Sequence, residues 1–293
     1  MASATKAKVK QPHAMAHLIP DHLFAEEYVS RKVEGVRDVD LLRYARAARN
    51  NTLLFGPTGP GKTSLVLAYC ATDGIPLATV QCNGAVDPNS FWGGLVVDPE
   101  TGALAGWQDS EITSIITHGG CLYLDEVNFL PAKVAATFHG LLDKRRQITI
   151  LDKGNAVVKA HPELQVICAY NPDYEGTRPL NPAFKNRFKI KVHFDYDEAV
   201  EAELVCLPVM MDLARKLRAS HKAGDLETPI STNMLIEFEE LAVDLGYDFA
   251  VANFKNAFAE DESPAVNETF DLYNEKIREQ LAKMEELAKA ESA

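Results

Sequence analysis

Short apolar runs punctuate the first two-thirds of the chain. Thr52-Leu53-Leu54-Phe55, Leu77-Ala78-Thr79-Val80-Gln81, Cys121-Leu122-Tyr123-Leu124, Gln165-Val166-Ile167-Cys168-Ala169-Tyr170 and residues 189–194 are such runs. Runs this short, without regular polar alternation, predict strands buried on both faces. Between them apolar positions recur at helical spacing. Leu41, Leu42 and Ala45 follow the acidic turn Asp38-Val39-Asp40, which predicts a helix ended by Asn50-Asn51. Residues 64–69, 110–118, 131–142 and 182–188 read as further helices, with Pro131 at a first-turn position. Alternating strand and helix predicts an α/β fold.

Two hairpins interrupt that alternation. Residues 91–97 and 103–107 are apolar arms around Asp98-Pro99-Glu100-Thr101-Gly102. Residues 147–151 and 156–159 flank Asp152-Lys153-Gly154-Asn155. The first hairpin carries both tryptophans, Trp92 and Trp107, and reads equally as core or as a functional loop. After Asp197 the pattern turns wholly helical: 198–219, 232–245 stopped by Gly246, and 249–258. Residues 264–293 form one charged segment. Ile277, Leu281, Met284 and Leu287 share a face there, and Glu279/Lys283 and Glu285/Lys289 are spaced as ion pairs. A helix capping its own domain fits this better than a partner-binding helix.

Composition narrows the class. The chain has 293 residues, 46% of them apolar, and a net charge of −12. That suits one large domain, or one plus a smaller one. The charge weighs against a surface made for nucleic acid, although a local basic stripe is compatible with it. Five scattered cysteines without a C-x-x-C pair read as buried thiols in a reducing cytoplasm. No apolar run approaches the roughly 18 residues that span a bilayer. The first 17 residues are rich in Ala and Lys and read as a disordered tail.

One stretch carries chemistry by itself. Gly56-Pro57-Thr58-Gly59-Pro60-Gly61-Lys62-Thr63 fits the phosphate-binding loop, between a strand and a helix start. Its glycines let backbone amides curl around a phosphate, and the helix N-terminus adds partial positive charge. Lys62 is expected to reach the β- and γ-phosphates of a nucleoside triphosphate, and Thr63 to bind Mg²⁺. Pro60 has no N–H to offer. A second signature is the apolar strand ending in Asp125-Glu126. Asp125 is placed to hold the Mg²⁺ shell, and Glu126 to take a proton from, or orient, the attacking water. Asn171, closing another strand, either fixes that water or forms a turn before Pro172. Strand ends are where open α/β sheets bind ligands.

With these residues assembled, the chain resembles an AAA+ ATPase. More narrowly it resembles the MoxR group and its CbbQ/NirQ/GvpN-like members, from about Asp38 to Phe258. Gly56–Thr63, Leu124-Asp125-Glu126-Val127-Asn128, Ala169-Tyr170-Asn171-Pro172 and Pro182–Phe188 carry the likeness. It implies a three-layer core with a parallel five-stranded sheet, two inserted hairpins and a small helical lid. The expected division is tail 1–17, nucleotide-binding core 18–197, lid 198–262 and charged C-terminal helix 263–293. The likeness places Asn171 at the sensor 1 position. It places Arg187 at the arginine-finger position, which reaches a neighbouring subunit's nucleotide. The hairpins become the helix-2 insert and the pre-sensor-1 hairpin. Family members form rings, usually hexamers, and use ATP with Mg²⁺ to remodel or activate protein clients. They often work with a von Willebrand A-domain protein. One departure stands out. Asn233 occupies the position of the sensor 2 arginine, and residues 223–254 hold no Lys or Arg. Trans groups such as Arg187, Arg145 or Arg146 are candidates to compensate.

Three other functions compete. A nucleotide-dependent scaffold with slow turnover would suit the missing lid cation and Pro60. A small-molecule kinase would need lid arginines, which the stretch 223–254 lacks. A DNA-remodelling ATPase would use Lys153 and Lys159 of the second hairpin on a nucleic-acid strand.

Overall fold

A computed structural model describes residues 15–84, 91–172 and 179–291, without the side chains of Glu285, Ala288, Lys289 and Glu291. Most of the expected N-terminal tail and the Glu285/Lys289 pair therefore lie outside the described residues. The chain divides into two compact units. One comprises the residues up to Tyr28 together with Gly35–Phe55 and Lys62–His193; the other comprises Val29–Glu34, Gly56–Gly61 and Phe194–Ala293.

The first unit is built on five strands: β1 (Thr52–Phe55), β2 (Leu77–Gln81), β3 (Gly120–Asp125), β4 (Leu164–Tyr170) and β5 (Ile190–His193). Their order is β5-β1-β4-β3-β2, and every neighbouring pair is parallel. β3 is buried from Gly120 to Leu124, and β4 along its whole length. That explains why their sequences are unbroken apolar runs. Leu53, Leu122, Leu124, Val166 and Cys168 from the strands join Ile115, Ile116, Phe138 and Phe188 in one core. Because all five strands run the same way, their carboxyl ends form a single edge.

Both hairpins form. Gly93–Val97 pairs with Leu104–Asp109, and Gln147–Ile150 with Ala156–Lys159. The tryptophans divide between two roles. Trp92 is buried with Phe91 against Phe138, its ring centroid 5.3 Å from the Phe138 ring. Trp107 is half-buried, and its indole donates to Asp109 at 2.8 Å. Asp109 also takes the Lys153 ammonium at 2.7 Å, so one carboxylate latches the two hairpins together. The expected helix over 131–142 is interrupted at Phe138, giving Ala132–Thr137 and His139–Leu142. Phe138 is the ring that buries against Phe91 and Trp92 at the break.

The second unit gathers a separate core from Met210, Leu213, Leu217, Phe238, Phe254, Phe270, Ile277 and Leu281. The long helix expected over 198–219 is two helices, Glu198–Leu204 and Pro208–Ala223. Pro208 lacks an N–H and disfavours helical geometry in the residue before it. Leu207 is accordingly extended, with φ −101° and ψ 94°. The charged segment after 263 is also two helices, Ser263–Asp271 and Asn274–Glu291. Ile277 and Leu281 seat the last helix on its own unit, while Leu287 is exposed.

Candidate active site

In the first unit the strand edge brings the predicted chemical groups together. Lys62 opens the helix Lys62–Asp73, and Thr63 follows. The Thr63 hydroxyl donates to Asp125 Oδ2 at 2.9 Å and lies 3.1 Å from the Tyr123 hydroxyl. Asp125 ends β3, and its carbonyl accepts from Cys82 N at 2.9 Å. Glu126 follows in the left-handed region at φ 53° and ψ 43°, rare for a residue with a side chain. Such strain clusters at functional sites. Its amide returns to Asp125 Oδ1 at 2.9 Å. Its carboxylate accepts from Gln81 Nε2 at 2.7 Å.

Gln81 was not singled out in the sequence. It is the last residue of β2 and pairs in register with Asp125, one strand over. A polar residue ending the apolar strand beside the acidic one was the available signal. Asn171 follows β4, and its carbonyl accepts from Asn128 Nδ2 at 3.2 Å. Lys62 is pushed down to about 8, chiefly because burial disfavours its charge; Asp125 and Glu126 pull the other way. An anion binding here restores that charge.

The donor set suits magnesium. Thr63 and Asp125 supply a hydroxyl and one carboxylate, both hard oxygens, and leave other coordination positions to phosphate and water.

The remaining part of the loop, Gly56–Gly61, belongs to the second unit. Gly56 has φ 150° and Gly59 φ 85°. A Cβ at Gly56 would collide with the Phe194 carbonyl, and one at Gly59 with the Ser231 side chain. Glycine is required at both positions by space as well as by conformation.

The candidate arginines differ in what they already bind. Arg187 is half-buried and donates through Nη1 to the carbonyl of Ala183 in its own short helix. Its Nε is buried and has no hydrogen-bond partner among the described residues. Arg145 is bonded side-on to Asp143, at 2.7 Å from Nη2. Arg146 is consumed internally, donating to Asn51 Oδ1 at 3.2 Å and to the Leu164 carbonyl at 2.6 Å. Lys153 is held by Asp109, which weakens the case for it as a nucleic-acid contact.

A phosphate loop leading into a helix, with an acidic strand end across a parallel sheet, defines a P-loop nucleotide-binding protein. A family model for the AAA domain of the dynein-related subfamily matches residues 51–188. The CbbQ protein of Hydrogenophilus thermoluteolus is 35% identical over 209 residues, spanning 68% of this chain and 76% of that one. This chain belongs to the AAA+ ATPase family, with CbbQ among its relatives. An uncharacterized protein of Staphylococcus aureus is 37% identical over 148 residues, which is 50% of this chain and 56% of that protein. A solved mutant RuvB from Thermotoga maritima aligns at 17% identity and a TM-score of 0.46, over 77% of this chain and 70% of that one.

Proposed function

We propose that this chain hydrolyses ATP within a homo-oligomeric ring, a hexamer, and couples turnover to remodelling or activating a partner protein in the cytoplasm. The observation that carries this reading is the constellation of Thr63, Asp125, Glu126 and Gln81. A hydroxyl and a carboxylate meet at 2.9 Å, and the next carboxylate is held 2.7 Å from an amide donor. Lys62 and the loop amides bind the phosphates. Thr63 and Asp125 would hold Mg²⁺, which would neutralise charge on the phosphates. Glu126 orients water or takes its proton, and Asn171 helps to place it. Arg187, whose Nε has no hydrogen-bond partner among the described residues, serves a neighbouring subunit's γ-phosphate.

The client surface fits the hairpins. Leu95, Val97 and Leu104 on the first, and Leu151 and Val157 on the second, are large apolar side chains left exposed. A protein client suits them better than DNA, and a von Willebrand A-domain protein is a candidate co-partner. Cys70, Cys82, Cys121 and Cys168 are free and buried, as suits a reducing compartment, whereas Cys206, read as a buried thiol with them, is free and exposed at the break between two helices. Among the described residues, no helix is long and apolar enough to cross a membrane.

Replacing Glu126 with Gln tests the reading. ATP should still bind, and turnover should fall by about 10²–10⁴-fold. Normal turnover in Glu126→Gln would remove Glu126 from the mechanism. A nucleotide-dependent scaffold is the second reading, favoured by Asn233 where a lid cation is expected. ATP-driven assembly with no turnover, even with a client present, would select it.

A further inference from the structure

Within the second unit the phosphate loop is held from behind by side chains. The Tyr196 hydroxyl donates to the Thr58 carbonyl at 2.8 Å. Arg31 is buried, its guanidinium 4.0 Å over the Phe194 ring. It donates through Nη1 to the Asp195 carbonyl at 2.6 Å and through Nη2 to the Pro60 carbonyl.

These two loop carbonyls have a geometric consequence. Among the described residues no peptide bond is cis. In a trans peptide the C=O and the following N–H point in opposite directions across one plane. Pulling the Thr58 carbonyl toward Tyr196 therefore turns the Gly59 N–H the other way. Pulling the Pro60 carbonyl toward Arg31 does the same to the Gly61 N–H. Pro60 itself has no amide to give, so the aim of its neighbours counts for more.

We propose that Arg31 and Tyr196 are positioning residues for phosphate: each grips one loop carbonyl and thereby directs the amide of Gly61 or Gly59 at the nucleotide. The inference rests on the reading of Gly56–Thr63 as a working phosphate site. It also ties the loop to the helices of its own unit, in a chain with Asn233 where a sensor 2 arginine is expected. Tyr196 lies under the Arg218 guanidinium, 3.7 Å from its ring centroid. Arg218 forms a bidentate pair with the buried Glu201, at 2.7 and 2.9 Å, and donates to the Ile230 carbonyl at 2.9 Å. Glu201 accepts from the Thr232 hydroxyl at 2.7 Å. Thr232 opens the helix whose capping Ser231 faces Gly59. The loop carbonyl and the start of this helix are thus ends of one chain of contacts, hydrogen-bonded except where Arg218 stacks on the Tyr196 ring. Burial raises the Tyr196 phenol to about 12, which keeps its donor proton in place.

Equilibrium binding of ADP and of adenosine to the full chain tests this, with Tyr196→Phe, Arg31→Lys and Lys62→Ala. Tyr196→Phe keeps the ring beneath Arg218 and removes only the hydroxyl. Its ADP affinity should fall about three- to ten-fold, the usual worth of one such bond. Its adenosine affinity and its melting temperature without nucleotide should not change. Arg31→Lys should lose at least as much, since one ammonium cannot reproduce the planar fork on two carbonyls. If Arg31→Lys does not fold, Tyr196→Phe alone decides. ADP affinity within about two-fold of the parent in Tyr196→Phe, or equal losses for ADP and adenosine, overturns the inference. In that case Lys62→Ala still abolishes ADP binding, and the phosphate-site reading stands. If the parent chain binds no ADP and Lys62→Ala changes nothing, the reading falls and takes the inference with it.

Discussion

The hydroxyl of Thr63 and Oδ2 of Asp125 stand 2.9 Å apart, although 62 positions separate them in the chain. One begins a helix and the other ends a strand two places away across the sheet. That bond fixes the two proposed magnesium ligands relative to each other. Asp125→Asn keeps a hydrogen-bonding side chain of the same shape and removes the charge. Its magnesium requirement for ATP binding should shift upward by at least about 10–100-fold, the range for changing a group that only orients a metal ligand. ATP affinity in EDTA should barely move. A magnesium titration of nucleotide binding reads both quantities.

Lys62 makes affinity and stability respond to pH in opposite directions. In the folded chain burial pushes its ammonium down to about 8, against 10.5 ordinarily. Between those values the unfolded chain binds more protons than the folded one, so stability rises with pH across that window. The phosphate anion favours the charged ammonium, so binding above pH 8 takes up a proton and ATP affinity falls as pH rises. Calorimetry in two buffers of different ionisation enthalpy should detect proton uptake at pH 9 and little at pH 7. Lys62→Met should abolish the uptake. It should also flatten the melting temperature between pH 8 and 10.

Arg187 and Arg146 are both candidates for a trans cation and should behave as opposites. Arg187→Ala removes a group whose internal partner is one helical carbonyl. Turnover should fall by about 10³-fold or more, with ATP affinity and melting temperature close to the parent. Specific activity of the parent should rise with protein concentration as subunits meet. Arg146→Ala instead releases the Leu164 carbonyl and Asn51, inside the sheet unit. It should lower the melting temperature. Equal turnover at all concentrations, with no oligomer, would exclude a trans arginine.

The sheet was legible because its strands are buried on both faces and so read as unbroken apolar runs. The loop and Asp125-Glu126 were legible because their chemistry demands particular residues at particular spacing. Gln81 was not, since what matters is its register opposite Asp125, and register between strands 44 positions apart leaves no local mark. Arg31 was hidden for a similar reason: nothing around it in sequence shows that residue 31 meets Pro60 and Asp195. The helix over 198–219 was read too long because apolar spacing continues through Pro208. Proline's missing N–H outweighed that periodicity.

The break at Pro208 yields a last prediction. Ending one helix and starting another leaves the amides of Cys206 and Leu207 without helical partners. Glu239, buried on the helix Thr232–Asp244, takes both, at 2.9 Å and 2.6 Å. Burial raises its carboxyl above the usual range, and the two amides oppose that shift. Glu239→Ala would strand two donors and should cost about 2–4 kcal/mol. Glu239→Gln keeps one acceptor and turns an N–H₂ toward the second amide, so it should cost roughly half as much. Urea titration of both variants followed by circular dichroism should give that order. A fully stable Glu239→Ala would mean that the break is held by Pro208 and core packing alone.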